Sequence, residues 1–210
     1  AGLRMAAARG IGAVHELSAP HINAAEDIVL LREIAAEEAA PEVVPYWGEH
    51  VRDGGLETAR ALGCVGAAGD LNVDGAIGSR TAALAEPYDD GDEKEHRGHC
   101  YLDPQAVADH VIACTEAGLQ AGFHCIGDAG TAVAVEGFRL AAAALGTSRL
   151  AEVRHRLEHL ELIDPAGLGV LAECGVVASV QPAFDALWGG PDGMYAERLG
   201  VGRSLGSNAF

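Results

Sequence analysis

The sequence predicts an α/β protein in which parallel strands alternate with helices. Short apolar runs alternate with longer amphipathic segments about six times along the 210 residues, which is the pattern of successive βα units. The helical segments carry local start and stop signals, and polar side chains gather at the ends of the apolar runs. Six such units suit either an open sheet or an incomplete (β/α)8 barrel, because a full barrel typically needs about 250 residues.

Each predicted strand is an apolar run of strand length bounded by turn residues or charges. The six runs cover residues 11–17, 42–47, 64–73, 120–126, 153–160 and 176–182. No linker rich in proline, glycine and serine separates them. We therefore expect residues 1–210 to form a single domain.

Helices are predicted between the strands, over residues 22–40, 104–119, 129–146 and 164–175. Two of them begin with an aspartate followed by proline, at Asp103-Pro104 and Asp164-Pro165. Aspartate is a favourable N-cap and proline suits the first helical position. The third helix is rich in alanine and ends at Gly146, a typical helix stop.

A polar, acidic segment over residues 86–103 is too long for an ordinary βα connection. Long loops at strand ends often cover a binding site. We expect its His96, His99 and Lys94 side chains to be solvated.

Composition excludes several classes of function. The formal net charge of -17 would repel phosphate backbones and anionic lipids, so we expect neither nucleic-acid nor membrane partners. Lys94 is the one lysine in the sequence, which leaves almost no place for a Schiff-base or P-loop lysine. The five cysteines form no CxxC pair, a pattern that fits reduced thiols and a cytoplasmic protein.

Reactive side chains cluster at the ends of four predicted strands. These residues are Asp70, Asp74, His124, Asp128, Glu158, His159 and Gln181. In parallel α/β folds functional groups gather at the carboxyl ends of the strands. Two histidines from different strands and a carboxylate from a third are ligands that suit a divalent transition metal. His155 shares a strand with His159, and the alternation of side chains predicts that both lie on one face with His159 nearer the site.

Five segments in order resemble the amidohydrolase superfamily, in the branch that includes N-substituted formamide deformylases. They are GDLNVDGAIGSRTAAL, FHCIGDAG, RHRLEHLELID, GVVASVQPAF and YAERLG. The resemblance implies a metal-dependent (β/α)8 hydrolase and selects the partial barrel, roughly strands two to seven with their helices. It makes His124 the ligand from the fifth barrel strand and His159 the ligand from the sixth. Asp70 occupies the position that often carries a bridging lysine, so it is a third candidate ligand.

The chain departs from the family pattern in two ways. It contains no His-x-His motif, and the aspartate expected on the last barrel strand would lie beyond Phe210. By resemblance the chain looks like a core segment that lacks the first and last barrel strands and the small β domain. We therefore expect no catalytic residue within the chain itself, and little or no activity from it alone.

The resemblance also implies a mechanism and further roles. One or two divalent metal ions, with zinc as the expected metal, would polarise a carbonyl and activate water to break an amide-like C–N bond of a small molecule. Asp128 and Glu158 are candidates to orient the histidines. Arg80 and Gln181 are candidates to contact the substrate, although Arg80 could equally pair with an acidic residue.

Two other hypotheses remain open. The chain could be a non-catalytic protein that binds a small molecule or a partner on the same scaffold, or an unrelated α/β enzyme with an acidic pocket. In any partial barrel the edges of the first and last strands present unpaired backbone groups. We therefore expect a homo-oligomer that pairs through these edges.

Overall fold

The computed structural model describes residues 1–37, 40–90 and 95–208. Within these ranges six parallel strands form one sheet in the order β1-β2-β3-β4-β5-β6. The strands are β1 (Ala13–Ser18), β2 (Glu42–Trp47), β3 (Gly66–Ala67), β4 (Gln120–Cys125), β5 (Arg156–His159) and β6 (Val177–Ser179). The prediction of an α/β fold on a parallel sheet is confirmed.

The sheet curls into part of a barrel. Arg156 on β5 reaches across the concave face to His15 on β1, with 2.7 Å between Arg156 Nη1 and His15 Nδ1. Its guanidinium also lies 4.7 Å from the ring centre of Tyr46 on β2. Contacts between strands that are not neighbours require a curved sheet, so the predicted partial (β/α)8 barrel is confirmed.

Helices connect the strands. They are α1 (Gly2–Ala8), α2 (Ala25–Glu37), α3 (Gly55–Ala61), α4 (Pro104–Ala117), α5 (Asp128–Leu145), α6 (Thr147–Val153), α7 (Pro165–Glu173), α8 (Pro182–Trp188), α9 (Met194–Leu199) and α10 (Val201–Ser204). Of these helices, α2, α3, α4 and α5 pack against the sheet. A 3-10 turn, Val51–Asp53, precedes α3. No helix in the described ranges is long and apolar enough to cross a membrane.

The helix-start signals in the sequence correspond to real caps. The Asp103 carboxylate accepts the backbone N–H of Ala106 at 2.7 Å, and the Asp164 carboxylate accepts that of Gly167 at 2.6 Å. The sequence did not predict α1, α3, α6, α8, α9 or α10, all of seven residues or fewer. Segments of this length contain too few turns to show a helical period.

The third strand is much shorter than its apolar run over residues 64–73. The chain leaves the sheet at Gly69, whose φ of 112° lies in the left-handed region that favours glycine. It returns beside β4, where Val73 N–H donates to the carbonyl of His124 at 2.9 Å. Asn72 forms an isolated parallel bridge with His124. This detour brings the segment after β3 to the carboxyl end of β4.

Two hydrophobic clusters stabilise the fold. The larger lies between the sheet and its helices, and its largest members are Trp47, Phe123, Phe138, Leu150 and Leu157. The smaller lies at the carboxyl ends of the strands and contains Ile77, Ala82, Leu84, Tyr88, Ile126, Tyr195 and Leu199. The second cluster packs the long β3–α4 connection against α9.

The long connection is less solvated than its sequence suggests. His96 is half-buried, with 2.6 Å between its Nε2 and the carbonyl oxygen of Arg80, and its ring stacks on Tyr88. The expectation of a solvated His96 is therefore wrong, whereas His99 is exposed as expected. Lys94 lies outside the described residues.

Candidate metal centre

Three side chains that could bind a metal converge at the carboxyl end of the sheet. Asp70, His124 and His159 each offer one ligand atom, and these atoms all lie within 4.8 Å of one another. Asp70 follows β3, His124 is the penultimate residue of β4, and His159 is the last residue of β5. Cys125 on β4 pairs with His159 on β5, so the parallel register brings both histidines to one edge of the sheet.

The His124 ring is buried and held in one orientation. Its Nε2 lies 2.9 Å from the carbonyl oxygen of Gly75. A carbonyl only accepts hydrogen bonds, so Nε2 carries the proton and Nδ1 keeps a free lone pair. Nδ1 faces Asp70, with 3.9 Å to Oδ1. Burial lowers the pKa of His124, which favours the neutral imidazole that a metal requires.

His159 is oriented by Gln181. The distance from His159 Nδ1 to Gln181 Oε1 is 2.7 Å, and Gln181 Nε2 donates to the carbonyl of Ser179 at 3.3 Å. The second bond fixes the amide so that its oxygen faces the ring, which leaves His159 Nε2 free as a ligand. The two histidine rings meet edge to face, with 4.6 Å between their centroids.

The backbone after β5 is strained where it positions His159. His159 and Leu160 have φ values of 71° and 52°, a region that non-glycine residues rarely adopt. Leu160 N–H nevertheless donates to the carbonyl of Cys125 at 2.9 Å, which anchors this turn to β4. Strain of this kind is often found where a side chain must be aimed at a site.

The strained turn also explains why side-chain alternation fails for His155. His155 is fully buried, accepts the backbone N–H of Ala121 at 2.9 Å and lies 2.9 Å from Thr115 Oγ1 of α4. It therefore packs against the helical layer rather than on the face that carries His159. His155 precedes β5, and the backbone of His159 has left the strand conformation. The alternation of side chains along a strand therefore does not place these two residues on the same face.

The structure does not bring Asp128 or Glu158 into hydrogen bonds with the histidines. The Asp128 carboxylate accepts the backbone N–H groups of Ala85 and Ala129, at 2.8 and 3.0 Å. The Glu158 carboxylate accepts a bond from Arg156 Nε at 2.5 Å. The orienting roles expected of these two residues belong instead to the Gly75 carbonyl and to Gln181.

Arg80 and Gln181 were expected to contact the substrate. Arg80 forms a two-point ion pair with Asp90, at 3.0 Å from Nε and 2.7 Å from Nη2. Asp90 also pairs with Arg198. The Arg80 guanidinium therefore pairs with an acidic residue, which was the alternative to substrate contact. Gln181 lies next to the candidate site, but its amide oxygen bonds to His159.

Asp74, a strand-end residue with no predicted role, is a structural anchor. This residue is fully buried, and its carboxylate accepts the backbone N–H groups of Ile126, Gly127 and Ala83 at 2.8 to 2.9 Å. It thereby ties the long connection to the end of β4. Burial raises the pKa of Asp74 to about 6. In the sequence, an aspartate between Val73 and Gly75 at the end of an apolar run was the feature that could have indicated this buried role.

An apolar cavity of about 270 Å³ adjoins the two histidines. Its walls come from the 76–78 turn, α8 and α9, and its larger side chains are Ile77, Phe184, Trp188, Met194 and Tyr195. Phe184 stacks nearly parallel to the His159 ring, with 6.0 Å between centroids. The four-residue spacing of Phe184 and Trp188 places both on one face of α8, and it was the sequence signal for this wall.

A second, larger cavity of about 570 Å³ lies on the other side of Asp70. It is bordered by loops that follow the first strands, including His21, Glu49 and Asp53. The three candidate ligands therefore lie between two concave surfaces at the carboxyl end of the sheet, where parallel barrels bind their ligands.

The fold matches solved structures of larger proteins. One is described as an uncharacterized metal-dependent hydrolase from Pyrococcus furiosus, with a TM-score of 0.72 and 24% identity. A second, from Pyrococcus horikoshii OT3, has the same description, with a TM-score of 0.68 and 22% identity. The matches cover 98% and 96% of this chain but 41% and 38% of those chains. At these identities the likeness establishes the fold class.

The sequence comparisons identify the family. The profile of the amidohydrolase family matches residues 1–210. The chain therefore belongs to the amidohydrolase family. It is also 31% identical, over 133 residues, to the protein LONG AFTER FAR-RED 3 of Arabidopsis thaliana. That match covers 63% of this chain and 21% of the plant protein.

Proposed function

We propose that the protein is a metal-dependent hydrolase that acts on an amide-like C–N bond of a small molecule. Convergence of Asp70, His124 and His159 at the carboxyl end of the sheet is the observation that carries this proposal. Membership of the amidohydrolase family supports it.

The donor chemistry fits a divalent cation. Two imidazole nitrogens and one carboxylate oxygen form a set that binds zinc, iron or manganese, and we propose zinc. Each imidazole uses its other nitrogen on an acceptor, the Gly75 carbonyl for His124 and Gln181 for His159. Such bonds fix the tautomer that presents a lone pair.

Different residues would bind the metal ion, orient its ligands and bind the substrate. His124, His159 and Asp70 would hold the ion, which when bound polarises a carbonyl and lowers the pKa of water. Gly75 and Gln181 would hold the two imidazole rings in the orientation that presents a lone pair to the ion. The apolar cavity beside the histidines would bind part of the substrate and exclude bulk water from it.

The proposed setting is the cytoplasm. All five cysteines are free thiols, and Cys64, Cys114, Cys125 and Cys174 are buried. Buried unpaired thiols are compatible with the reducing conditions of that compartment.

Metal content tests the proposal first. Purified protein of verified mass should contain close to one zinc per chain by elemental mass spectrometry, and the H124A/H159A double variant should contain almost none. The H21A/H99A double variant is the matched control, because it also loses two imidazoles but both are exposed. Its zinc content should equal that of the unmodified chain.

Activity is the second test. Zinc-loaded protein, produced from its own gene at full length, should release amine from some members of a panel of small N-substituted amides. A chelator should abolish the release, and the H124A variant should lack it. If both double variants keep their zinc, or if both lose it equally, the site assigned to His124 and His159 is wrong. A protein that binds small molecules but takes up no zinc when zinc is supplied would favour the non-catalytic alternative.

A further inference from the structure

The cavity beside the histidines has the size of a single ring with a short chain. Its volume is about 270 Å³, whereas an apolar protein cavity of about 150 Å³ is enough to bind benzene. Phe184 and Trp188 of α8 lie 4.5 Å apart between ring centroids, and Trp188 lies 6.1 Å from Tyr195 of α9. These rings form a continuous aromatic wall that begins at His159.

One carboxylate interrupts this apolar lining. Glu161 is 3% exposed, and its Oε2 accepts the Tyr195 hydroxyl at 2.5 Å and Asn208 Nδ2 at 3.4 Å. Within the described ranges no donor reaches Glu161 Oε1. That oxygen keeps some accessible surface and a free lone pair, so it is open to a group that enters the cavity. A ligand in the cavity can supply the missing donor.

The surroundings select the kind of donor. No lysine or arginine is among the residues that line the cavity, so no fixed cation of the described chain competes for the carboxylate. The faces of Trp188, Phe184 and Tyr195 attract positive charge through their ring quadrupoles. A nitrogen donor with partial or full positive charge suits both features, while an anionic group would be repelled by Glu161.

We propose that the cavity takes a ring-sized apolar group that carries a nitrogen donor, and that Glu161 Oε1 accepts its hydrogen bond. The inference rests on the proposed function, because it names the part of the substrate that lies next to the hydrolytic site. It makes Glu161 a specificity residue of this protein, with α8 and α9 as the apolar walls of its pocket.

Ligand binding to metal-free protein tests this inference. The probes are 2-phenylethylammonium and phenylacetate, which share a ring but differ in charge, with dissociation constants measured by calorimetry at pH 7.5. The ammonium should bind at least about tenfold more tightly than phenylacetate, as expected for a charge-assisted bond. Equal affinities, or tighter binding of phenylacetate, would overturn the inference.

Variants separate the carboxylate from the apolar wall. E161Q should reduce the preference for the ammonium to near parity. E152Q makes the same charge change at an exposed residue of α6 and should leave the preference unchanged. W188A should weaken both probes because both lose an apolar wall, and the ammonium somewhat more because it also loses a ring face that attracts positive charge. An unchanged preference in folded E161Q would contradict the role of Glu161.

A second substitution covers the case in which E161Q fails to fold. E161D retains the charge but withdraws the carboxylate by one methylene, so it should weaken the ammonium more than phenylacetate. Zinc affinity is measured separately on the same samples. Zinc binding without an ammonium preference would overturn this inference alone, and an ammonium preference without zinc binding would overturn the proposed metal site alone.

Discussion

At the scale of single residues, the candidate centre depends on which nitrogen of each histidine is free. Gly75 and Gln181 engage Nε2 of His124 and Nδ1 of His159, respectively. The two rings therefore leave different nitrogens free, and one ligand atom of each ring lies within 4.8 Å of a ligand atom of Asp70. Neutral rings with one fixed donor and one free lone pair are suited to bind metal before any ion arrives.

The orienting role of Gln181 leads to a prediction for metal affinity. Q181L keeps the size of the side chain but removes the acceptor from His159 Nδ1, so the ring can turn and change tautomer. Loss of such a partner typically costs about 10- to 100-fold in metal affinity. Zinc competition with a chromophoric chelator should show this loss. Q105L, at an exposed position of α4, should bind zinc normally, and equal affinities of the two variants would contradict the role of Gln181.

Residue identities at strand ends could be predicted from the sequence, but their partners could not. His124, His159 and Asp70 end or follow apolar runs, and parallel topology then dictates that they meet. The contacts of Arg80, Asp128 and Glu158 depend instead on loop paths and on side-chain rotamers. For the same reason the role of Gln181 was expected to be substrate contact rather than support of His159.

At the scale of elements, the turn between β4 and α5 must pass very close to the long β3–α4 connection. A Cβ atom added to Gly127 would lie 2.0 Å from the carbonyl oxygen of Ala83. Asp74 holds both segments at this distance through its bonds to Gly127 and Ala83. The close approach explains why glycine is required at 127 although its φ is an ordinary -69°.

Substitution of two glycines by alanine should therefore have opposite effects on stability. G127A forces backbone to move and should lower the free energy of unfolding by at least about 2 kcal/mol. G169A lies on the exposed face of α7 with no atom within 4 Å of its Cβ. It should raise the free energy by about 0.5 to 1 kcal/mol. Equilibrium urea unfolding measures both, and a neutral G127A would contradict the close approach.

Helix α4 is attached to β3 through a buried histidine. His110 Nε2 lies 2.8 Å from the carbonyl oxygen of Ala67, and its Nδ1 accepts the backbone N–H of Val51 at 3.2 Å. Burial lowers the pKa of His110 to about 4. The folded protein therefore holds this ring neutral at pH values where the unfolded chain would protonate it.

This difference predicts a loss of stability in acid. The contribution of neutral His110 is complete above pH 6.5 and disappears as the pH falls towards 4, because only the unfolded chain binds the proton in that range. The loss amounts to about 3 kcal/mol, at about 1.4 kcal/mol per pKa unit. H110Q cannot titrate, so urea unfolding between pH 7.5 and 4 should show a shallower decline for the variant. Parallel curves would contradict a depressed pKa.

Element boundaries were predictable where one local rule decided them. The strand over residues 42–47 and the caps at Asp103 and Asp164 are where the sequence places them. The run over residues 64–73 failed as a strand because Gly69 turns the chain out of the sheet. Ala67 and Ala68 before the turn and Val73 after it are all buried, so hydrophobicity alone could not reveal the turn.

At the scale of the whole molecule, the curled sheet ends in two strands that each have one neighbour. β1 pairs with β2 and β6 pairs with β5, so their outer edges are unpaired within the described sheet. Exposed edges with free N–H and carbonyl groups are templates for pairing with another chain. We therefore retain the proposal that this chain forms a homo-oligomer through its edges.

Light scattering coupled to size exclusion tests this proposal. The chain at micromolar concentration should have a mass above that of the 21.6 kDa monomer. A13K adds a lysine at an exposed position of β1, a substitution that discourages edge pairing, and should shift the mass towards the monomer. E152Q should not shift it. A monodisperse monomer of the unmodified chain would contradict edge pairing.

The metal position in a zinc-soaked crystal tests whether Asp70, His124 and His159 form one metal site. Anomalous diffraction at the zinc edge should give a peak about 2.0 to 2.2 Å from Asp70 Oδ1, His124 Nδ1 and His159 Nε2. The same crystals of H124A/H159A should give no peak there. A zinc peak elsewhere, with none between the two histidines, would show that these three residues do not form the metal site.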